Sequence, residues 1–334
     1  MSNFIKRLFF LALITPFTIF SYEFSAMTLN VDNLFDTLDD LKKDDKAYLP
    51  IQFKQSDAHK KSCNRIRVNS WKNECLFLDW NEDTKNAKLR NIANSIISYG
   101  SNGPDIIALQ EVENNNILNQ LLELLKPYGF IDSVLIEGKD YRGIDTALIT
   151  KFKILDSKLH YIEFSGEFEG KDTRPILDAT LEINGEKIKI YNVHFPSGFH
   201  DVSMRVDSLN ALSKLLNSHD YPTIALGDFN VNTKEDNQLD IYQSQEAFWS
   251  VAHIFGCKDC KGSFYYNYGK TWEFLDTIFL SKDRDILYIK DSIDIYRTKS
   301  NSYSDTGKPK NFNPNKKYGV SDHLPMVAKF RIIN

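Results

Sequence analysis

The segment TIALGDFNVN (residues 223–232) poses the question that decides the fold. Its apolar run ends in Gly227, and an acid and an amide then stand two apart, at Asp228 and Asn230. One reading is structural, because strands end in turns and Asp and Asn are good turn residues. The other is chemical: on extended backbone alternate residues face one side, so both groups would address a single centre. The rest of the chain has to choose.

Working outward, other apolar runs start or stop at residues of the kind that handle metals or protons. LNVDNLFD presents Asn30, LQEVEN presents Glu111, and RGIDTALI presents Asp145. NVHFPS carries His194, LDTIFLS opens with Asp276, and SDHLP supplies Asp322 and His323. Each has an ordinary structural role on its own. Asn30 can bond its own turn, Glu111 can cap a following helix, Asp145 can pair with Arg142, and His194 can be a satisfied core histidine. Their joint occurrence at the ends of so many runs is what calls for explanation.

The runs themselves read as strands at 24–29, 105–110, 130–136, 146–150, 176–183, 187–195, 223–226, 272–280, 286–295 and 324–332. Helices are expected where Leu89, Ile92, Ala93, Ile96 and Ile97 recur, where Leu118, Leu121, Leu122 and Leu125 share a face before Pro127, and over 202–217. Many strands with few helices, mixed and not strictly alternating, argue for an α+β layered sandwich. No repeat or low-complexity linker divides residues 22–334, so they read as one domain, interrupted by a lysine-rich inserted loop at about 42–83.

Residues 1–21 read differently. Lys6 and Arg7 precede the apolar run LFFLALITPFTIF, and small Ser21 follows, the layout of a secretory signal peptide. The run is short for a membrane span, so a secreted or periplasmic protein without stable membrane insertion is expected. Four cysteines fit an oxidising compartment as two local pairs, Cys63 with Cys75 and Cys257 with Cys260. Zinc held by His253, Cys257 and Cys260 is the alternative reading of the second pair.

A net charge of -4 does not mark a nucleic-acid binder by bulk electrostatics. Two stretches nevertheless lean basic: Lys54, Lys60, Lys61, Arg65, Arg67 and Lys72, then Arg297, Lys299, Lys308, Lys310, Lys316 and Lys317. They read either as solvated loops or as local phosphate contacts, which are short-ranged at ordinary salt.

In their order and spacing the motifs LNVDNLFD, LQEVEN, RGIDTALI, NVHFPS, GDFN, LDTIFLS and SDHLP resemble the endonuclease/exonuclease/phosphatase superfamily, in its deoxyribonuclease I-like branch. The resemblance spans nearly all of the chain after residue 21. It implies a four-layer α/β/β/α sandwich of two packed mixed sheets with the active site between them. It also implies a metal-dependent hydrolase of phosphoric esters.

Hard oxygen ligands around an open position suit Mg2+ or Mn2+, with Ca2+ a further possibility, and Glu111 is the foremost ligand. The resemblance adds Asn30 and Asp322. It gives Asp228 the role of orienting the attacking water or accepting its proton, and Asn230 that of a donor to the phosphoryl oxygen. His323 looks like the general acid/base histidine oriented by Asp276, and His194 like a second histidine whose acidic partner is Asp145.

Arg142 and Arg174 are candidate phosphate clamps, since a guanidinium fork matches two phosphate oxygens, and Tyr141 is a neighbouring contact. Arg174 reads equally as a structural ion pair. The aromatic run FYYNYGKTW (264–272) could stack on bases, dip into a lipid interface or fill a hairpin. The leading functional expectation is a monomeric nuclease of the endonuclease type, with nucleic acid, DNA foremost, as substrate. A phospholipid, sphingomyelin or inositol-phosphate phosphoesterase is the alternative, and a non-catalytic binding module the remote one.

Overall fold

The computed structural model describes residues 21–257, 259–282 and 284–333. The expected signal peptide therefore lies almost wholly outside the described residues. Among those described, no helix is long and apolar enough to cross a membrane.

Strands are numbered in chain order. One seven-stranded sheet contains β1 (Tyr22–Leu34), β2 (Ile106–Val112), β3 (Asp132–Leu135), β4 (Asp145–Thr150), β13 (Ile286–Tyr288), β14 (Asp294–Ile295) and β15 (Met326–Ile332). A six-stranded sheet contains β5 (Lys153–His160), β6 (Ile176–Ile183), β7 (Glu186–His194), β8 (Thr223–Asp228), β9 (Trp249–Val251) and β12 (Asp276–Ser281). A separate hairpin pairs β10 (Phe264–Tyr266) with β11 (Thr271–Glu273).

Each large sheet has one parallel pair, β1 with β2 and β7 with β8, while the other pairings are antiparallel. A parallel pair needs a crossover, and helices supply both. Helix α3 (Glu82–Ile97) lies between β1 and β2 in the chain, and α5 (Val202–Leu215) between β7 and β8. Parallel neighbours end at the same edge of a sheet, so whatever polar residues terminate these strands are gathered there.

Alternation of side chains makes the layers. Ala26, Ile106 and Ala108 share the core between the sheets with Ala179, Leu181, Ile190, Ile224 and Leu226. Their neighbours Met27, Leu29, Ile107 and Leu109 point the other way, onto Leu89, Ile92 and Ile96 of α3 and Leu118, Leu121 and Leu125 of α4 (Asn115–Leu125). Across the molecule Tyr191, Val193, Ala225 and Phe279 pack on Met204, Leu209 and Leu212 of α5. The result is the expected four-layer sandwich.

Three expectations need correction. Run 272–280 is two strands in different sheets, β11 and β12. Run 286–295 divides into β13 and β14 around Asp291, whose φ of 63° turns the chain. Strand β5 has no counterpart in the sequence reading: it is an edge strand, largely open to solvent and poor in apolar residues, so it shows no clear alternation.

The insertion departs from expectation as well. It is not a loop but a small helical unit with α1 (Asp57–Cys63) and α2 (Asn69–Phe77). A disulfide joins Cys63 to Cys75, and Ser56 caps α1 by accepting from the His59 amide. The buried Lys54 ammonium donates to the carbonyls of Ala47, Glu74 and Leu78, closing the C-terminal end of α2. A disulfide and a lysine do here what a leucine stripe does elsewhere, which is why helical periodicity is missing. Replacing Cys63 and Cys75 together by serine opens a 12-residue loop and is expected to cost about 3 kcal/mol. The check is the denaturation midpoint of the insertion, followed by the fluorescence of Trp71.

The second cysteine pair is also a disulfide, Cys257–Cys260. His253 is not aimed at it: the Nδ1 is 2.8 Å from the Thr277 hydroxyl, and the ring stacks on Phe274. The zinc alternative is thereby set aside.

Candidate active site

Three strands of the six-stranded sheet bring His194, Asp228 and Asp276 side by side. In the ladders, Asp228 is opposite His194 of parallel β7 and opposite Asp276 of antiparallel β12. The preceding Gly227 has φ 150°, and a Cβ there would stand 2.0 Å from the Val193 carbonyl oxygen. Only glycine allows β7 this close, so the residue before Asp228 is fixed by sterics.

The seven-stranded sheet supplies the facing set. Asn30 lies on β1, and Glu111 sits at an irregularity where β2 shifts register against β4. Glu111 has φ 66°, and Asp32, Asn33 and Asn230 are also left-handed, at 52°, 62° and 55°. Such clustering of non-glycine residues in a sparsely populated region is typical of functional sites. The local bends are held by side chains: Asn33 N donates to Glu111 Oε2 (2.9 Å), and Asp32 N to Asn30 Oδ1 (3.0 Å).

The two sets meet. Asn30 Nδ2 lies 3.2 Å from Asp228 Oδ2 and 3.3 Å from Glu111 Oε1. His194 Nε2 lies 3.5 Å from Asp228 Oδ2 and 3.9 Å from Glu111 Oε1. His323 Nδ1 is 2.6 Å from Asp276 Oδ2, while its Nε2 is 3.9 Å from Asp322 Oδ1. The His323 backbone is pinned as well: its N donates to Ser321 Oγ, which itself donates to the Asn30 carbonyl (2.6 Å). Beneath the site, Gln110 Nε2 donates to Asn192 Oδ1 (2.7 Å), tying the sheets together in the core.

Electrostatics follow from burial and crowding. Burial opposes charge on His323, but Asp276, Asp322 and Asp228 surround it and raise its pKa well above the usual imidazole value. His194 goes the other way, lowered well below that value by burial and then by Arg174, Arg142 and His323. Their surroundings therefore favour charge on His323 and disfavour it on His194. Asp228 is pushed up to about 7 by burial and Asp276, and Asp322 to about 7 by burial, Asp32 and Glu111.

That crowding is the test of a metal site. Glu111, Asp322 and the Asn30 amide offer hard oxygen donors, and Asp32 and Glu111 add to burial in raising the Asp322 pKa, a concentration of negative charge that fits a divalent ion. One cluster of potential ligand atoms among the described residues is Asp228, Asp276 and His323, within 4.8 Å. Its imidazole Nδ1 is already engaged by Asp276, so it reads as an acid/base pair beside a carboxylate. A second such cluster, His59 with Cys63 and Cys75, holds its sulfurs in a disulfide.

Several sequence expectations change on contact with the geometry. Asn230 is not on extended strand; its N donates to Asp228 Oδ1 (2.9 Å) and its Nδ2 to the Phe195 carbonyl (3.0 Å). The turn reading and the chemical reading are thus compatible, since the turn is what presents the pair. The expected Asp145–His194 pair is not closed by a hydrogen bond. Asp145 Oδ1 accepts from Gly138 N, while its Oδ2 and His194 Nδ1 are buried without a partner.

Arg174 is a positioning residue. Its Nε and Nη2 donate to the carbonyls of His194 (3.0 Å) and Phe195 (2.9 Å) and its Nη1 to Asp140 (3.1 Å), so three of its donors serve the fold. Arg142 also turns to Asp140, through its own loop, and Tyr141 is exposed. Lys88 is absent from the sequence reading. It is buried beneath the acidic lip, its Nζ donating to the Asp32 carbonyl (2.6 Å), and its one sequence signal is a lysine one residue before Leu89 on the inward face of α3.

The aromatic run forms the β10–β11 hairpin, and Phe264 packs against His323 with ring centroids 5.0 Å apart. Two cations of the second basic stretch lie over its rings: Lys308 at 3.7 Å from Tyr265 and Arg297 at 5.7 Å from Trp272.

Comparison with known proteins agrees with this architecture. A sequence profile described as "Endonuclease/Exonuclease/phosphatase family" matches residues 77–331. No curated protein matches the chain. Among solved structures, an endonuclease/exonuclease/phosphatase family protein from Bacteroides thetaiotaomicron is similar with a TM-score of 0.58 at 15% identity, covering 94% of this chain and 99% of that one. The mannosyl-6-phosphatase of the same organism reaches 0.54 at 14% identity, covering 92% and 99%. D. rerio TDP2 complexed with a single-strand DNA product reaches 0.55 at 16% identity, covering 92% and 98%.

Proposed function

This chain belongs to the endonuclease/exonuclease/phosphatase family, whose members are metal-dependent phosphoester hydrolases, and from that premise we propose that it is an exported nuclease. The substrate is nucleic acid, DNA foremost, cut by a monomer at a site holding Mg2+ or a similar divalent ion. The observation that carries the phosphodiesterase chemistry is His323, its Nδ1 held by Asp276, facing Asp228 across the seam between the sheets.

A phosphodiester needs charge neutralised on its oxygens, water activated and a leaving oxygen protonated. A divalent ion, held by Glu111, Asp322 and Asn30, would supply the neutralising charge. His323 presents Nε2 to the centre with its Nδ1 held by Asp276, so it can donate a hydrogen bond or proton to a phosphate oxygen. Asp228, at about 7, is poised to take a proton from water near neutral pH. The His194 Nε2 faces Asp228 and Glu111; Arg174 fixes its place by holding its carbonyl.

The nucleic-acid assignment is supported by the cations of Arg297 and Lys308 over the hairpin that packs on His323. Positive charge interleaved with aromatic faces suits a strand of phosphates and bases, and it argues against an apolar membrane wedge. The test is hydrolysis by protein purified from residue 22 onward, with supercoiled plasmid, sphingomyelin liposomes and a chromogenic phosphodiester, each with Mg2+ or chelator. Metal-dependent plasmid nicking is the expected result. Cleavage of liposomes, or of the small diester alone, would overturn the substrate assignment and leave the hydrolytic site.

A further inference from the structure

The insertion raises a wall beside the acidic lip. Between them runs a groove of about 460 Å³, with Trp71, Glu74 and Phe77 of α2 on one side and Asp32, Asn33 and Lys88 at its base. Its back is an aromatic stack: Phe35 lies on Tyr48 with centroids 4.1 Å apart, and Tyr48 and Phe312 meet Trp80 edge to face. The base is continuous with the catalytic centre, because Asn33 N is the donor to Glu111 Oε2.

Trp71 and Phe77 are 55% and 70% exposed, a poor use of large apolar side chains unless something covers them. They are also held rigidly. The disulfide to Cys63, the Lys54 cap and a contact of His59 Nε2 with the Cys75 carbonyl (2.9 Å) all fix α2. Rings displayed on an immobilised helix next to a catalytic centre are preorganised for a ligand and lose little entropy in binding it.

The charge of the groove selects among parts of a nucleotide. Asp32 and Glu74 are carboxylates, and Asn33, Asn73 and Asn315 offer amides, while the lysine at the base is spent on a backbone carbonyl. Further phosphates would be repelled. An uncharged ring with amine donors on its edge is complementary, stacking on the aromatic wall and bonding to the acids.

We propose that this groove is a base-binding subsite that holds the nucleobase next to the scissile phosphate. The proposal rests on the reading of the neighbouring centre as a phosphoester site and adds what lies beside the phosphorus. It also makes the insertion a determinant of specificity, since the residues that would hold the base belong largely to it.

Equilibrium dialysis at fixed Mg2+ with two probes, adenosine 5′-monophosphate and ribose 5-phosphate, tests this. Wild type is expected to bind the base-bearing probe roughly tenfold more tightly. Trp71→Ala and Phe77→Ala should each reduce that preference toward parity. Both side chains are exposed, so the fold survives; Phe53→Ala, exposed on the insertion outside the groove, should keep the full preference. Equal affinity for the two probes in wild type, no binding of either, or a preference undiminished in Trp71→Ala would overturn the subsite. Because the readout is binding, failure of the nuclease assignment is seen separately, in the plasmid assay.

Discussion

His323→Ala is expected to lower kcat for phosphoester hydrolysis by roughly 10²- to 10⁴-fold. The side chain is buried, its Nδ1 is 2.6 Å from Asp276, and the surrounding carboxylates favour its charged form. Alanine removes both the proton donor and the charge facing the phosphate. It also strands Asp276, which is buried with Oδ1 already lacking a partner, so a drop in thermal stability is expected too. Asp276→Asn separates the effects: it keeps the imidazole and relieves the buried charge, so its rate should lie between wild type and His323→Ala. A folded His323→Ala protein with wild-type kcat would remove this histidine from the chemistry.

The second large effect is expected in metal dependence. Glu111→Gln preserves an oxygen for the Asn33 amide, and with it the left-handed turn, but takes a full charge from the acidic lip. Outer-shell substitutions at metal sites already cost 10- to 100-fold in affinity, so a direct ligand should move the Mg2+ midpoint for activity upward by at least about 100-fold. Excess Mg2+ should recover part of the rate. A midpoint unchanged from wild type would leave Asp322 and Asn30 as the ligands and give Glu111 a role in shaping the turn.

Much of this site is legible without the fold, because strand ends announce themselves. An apolar run that stops at Asp228 or begins at Asp276 identifies both the strand and the group at its tip. What sequence does not carry is which way a side chain is committed. Arg174 is as fit by type to clamp phosphate as to pair, and three contacts spend it on backbone and Asp140. The Asp145–His194 pair fails similarly: their strands bring both residues inward, but whether two side chains close a bond depends on rotamers that no spacing records. The insertion is illegible for another reason. Its helices are held by a disulfide and a capping lysine, so they lack the 3.6-residue stripe on which helix reading depends.

The first strand of the sandwich lies in register against the last, Tyr22 opposite Ile332 and Thr28 opposite Met326. Asn30 follows closely on one paired segment, and His323 shortly precedes the other. The strand bearing Asn30, paired with β2 on one side, therefore keeps its other edge open until β15 docks on it. The seven-stranded wall of the cleft closes only with that pairing, and His323, the proposed acid/base, is placed by the same segment. For an enzyme that cleaves phosphoesters, the strand order itself makes activity depend on the pairing of two segments some three hundred residues apart, so a chain in which β1 and β15 have not met has no working cleft.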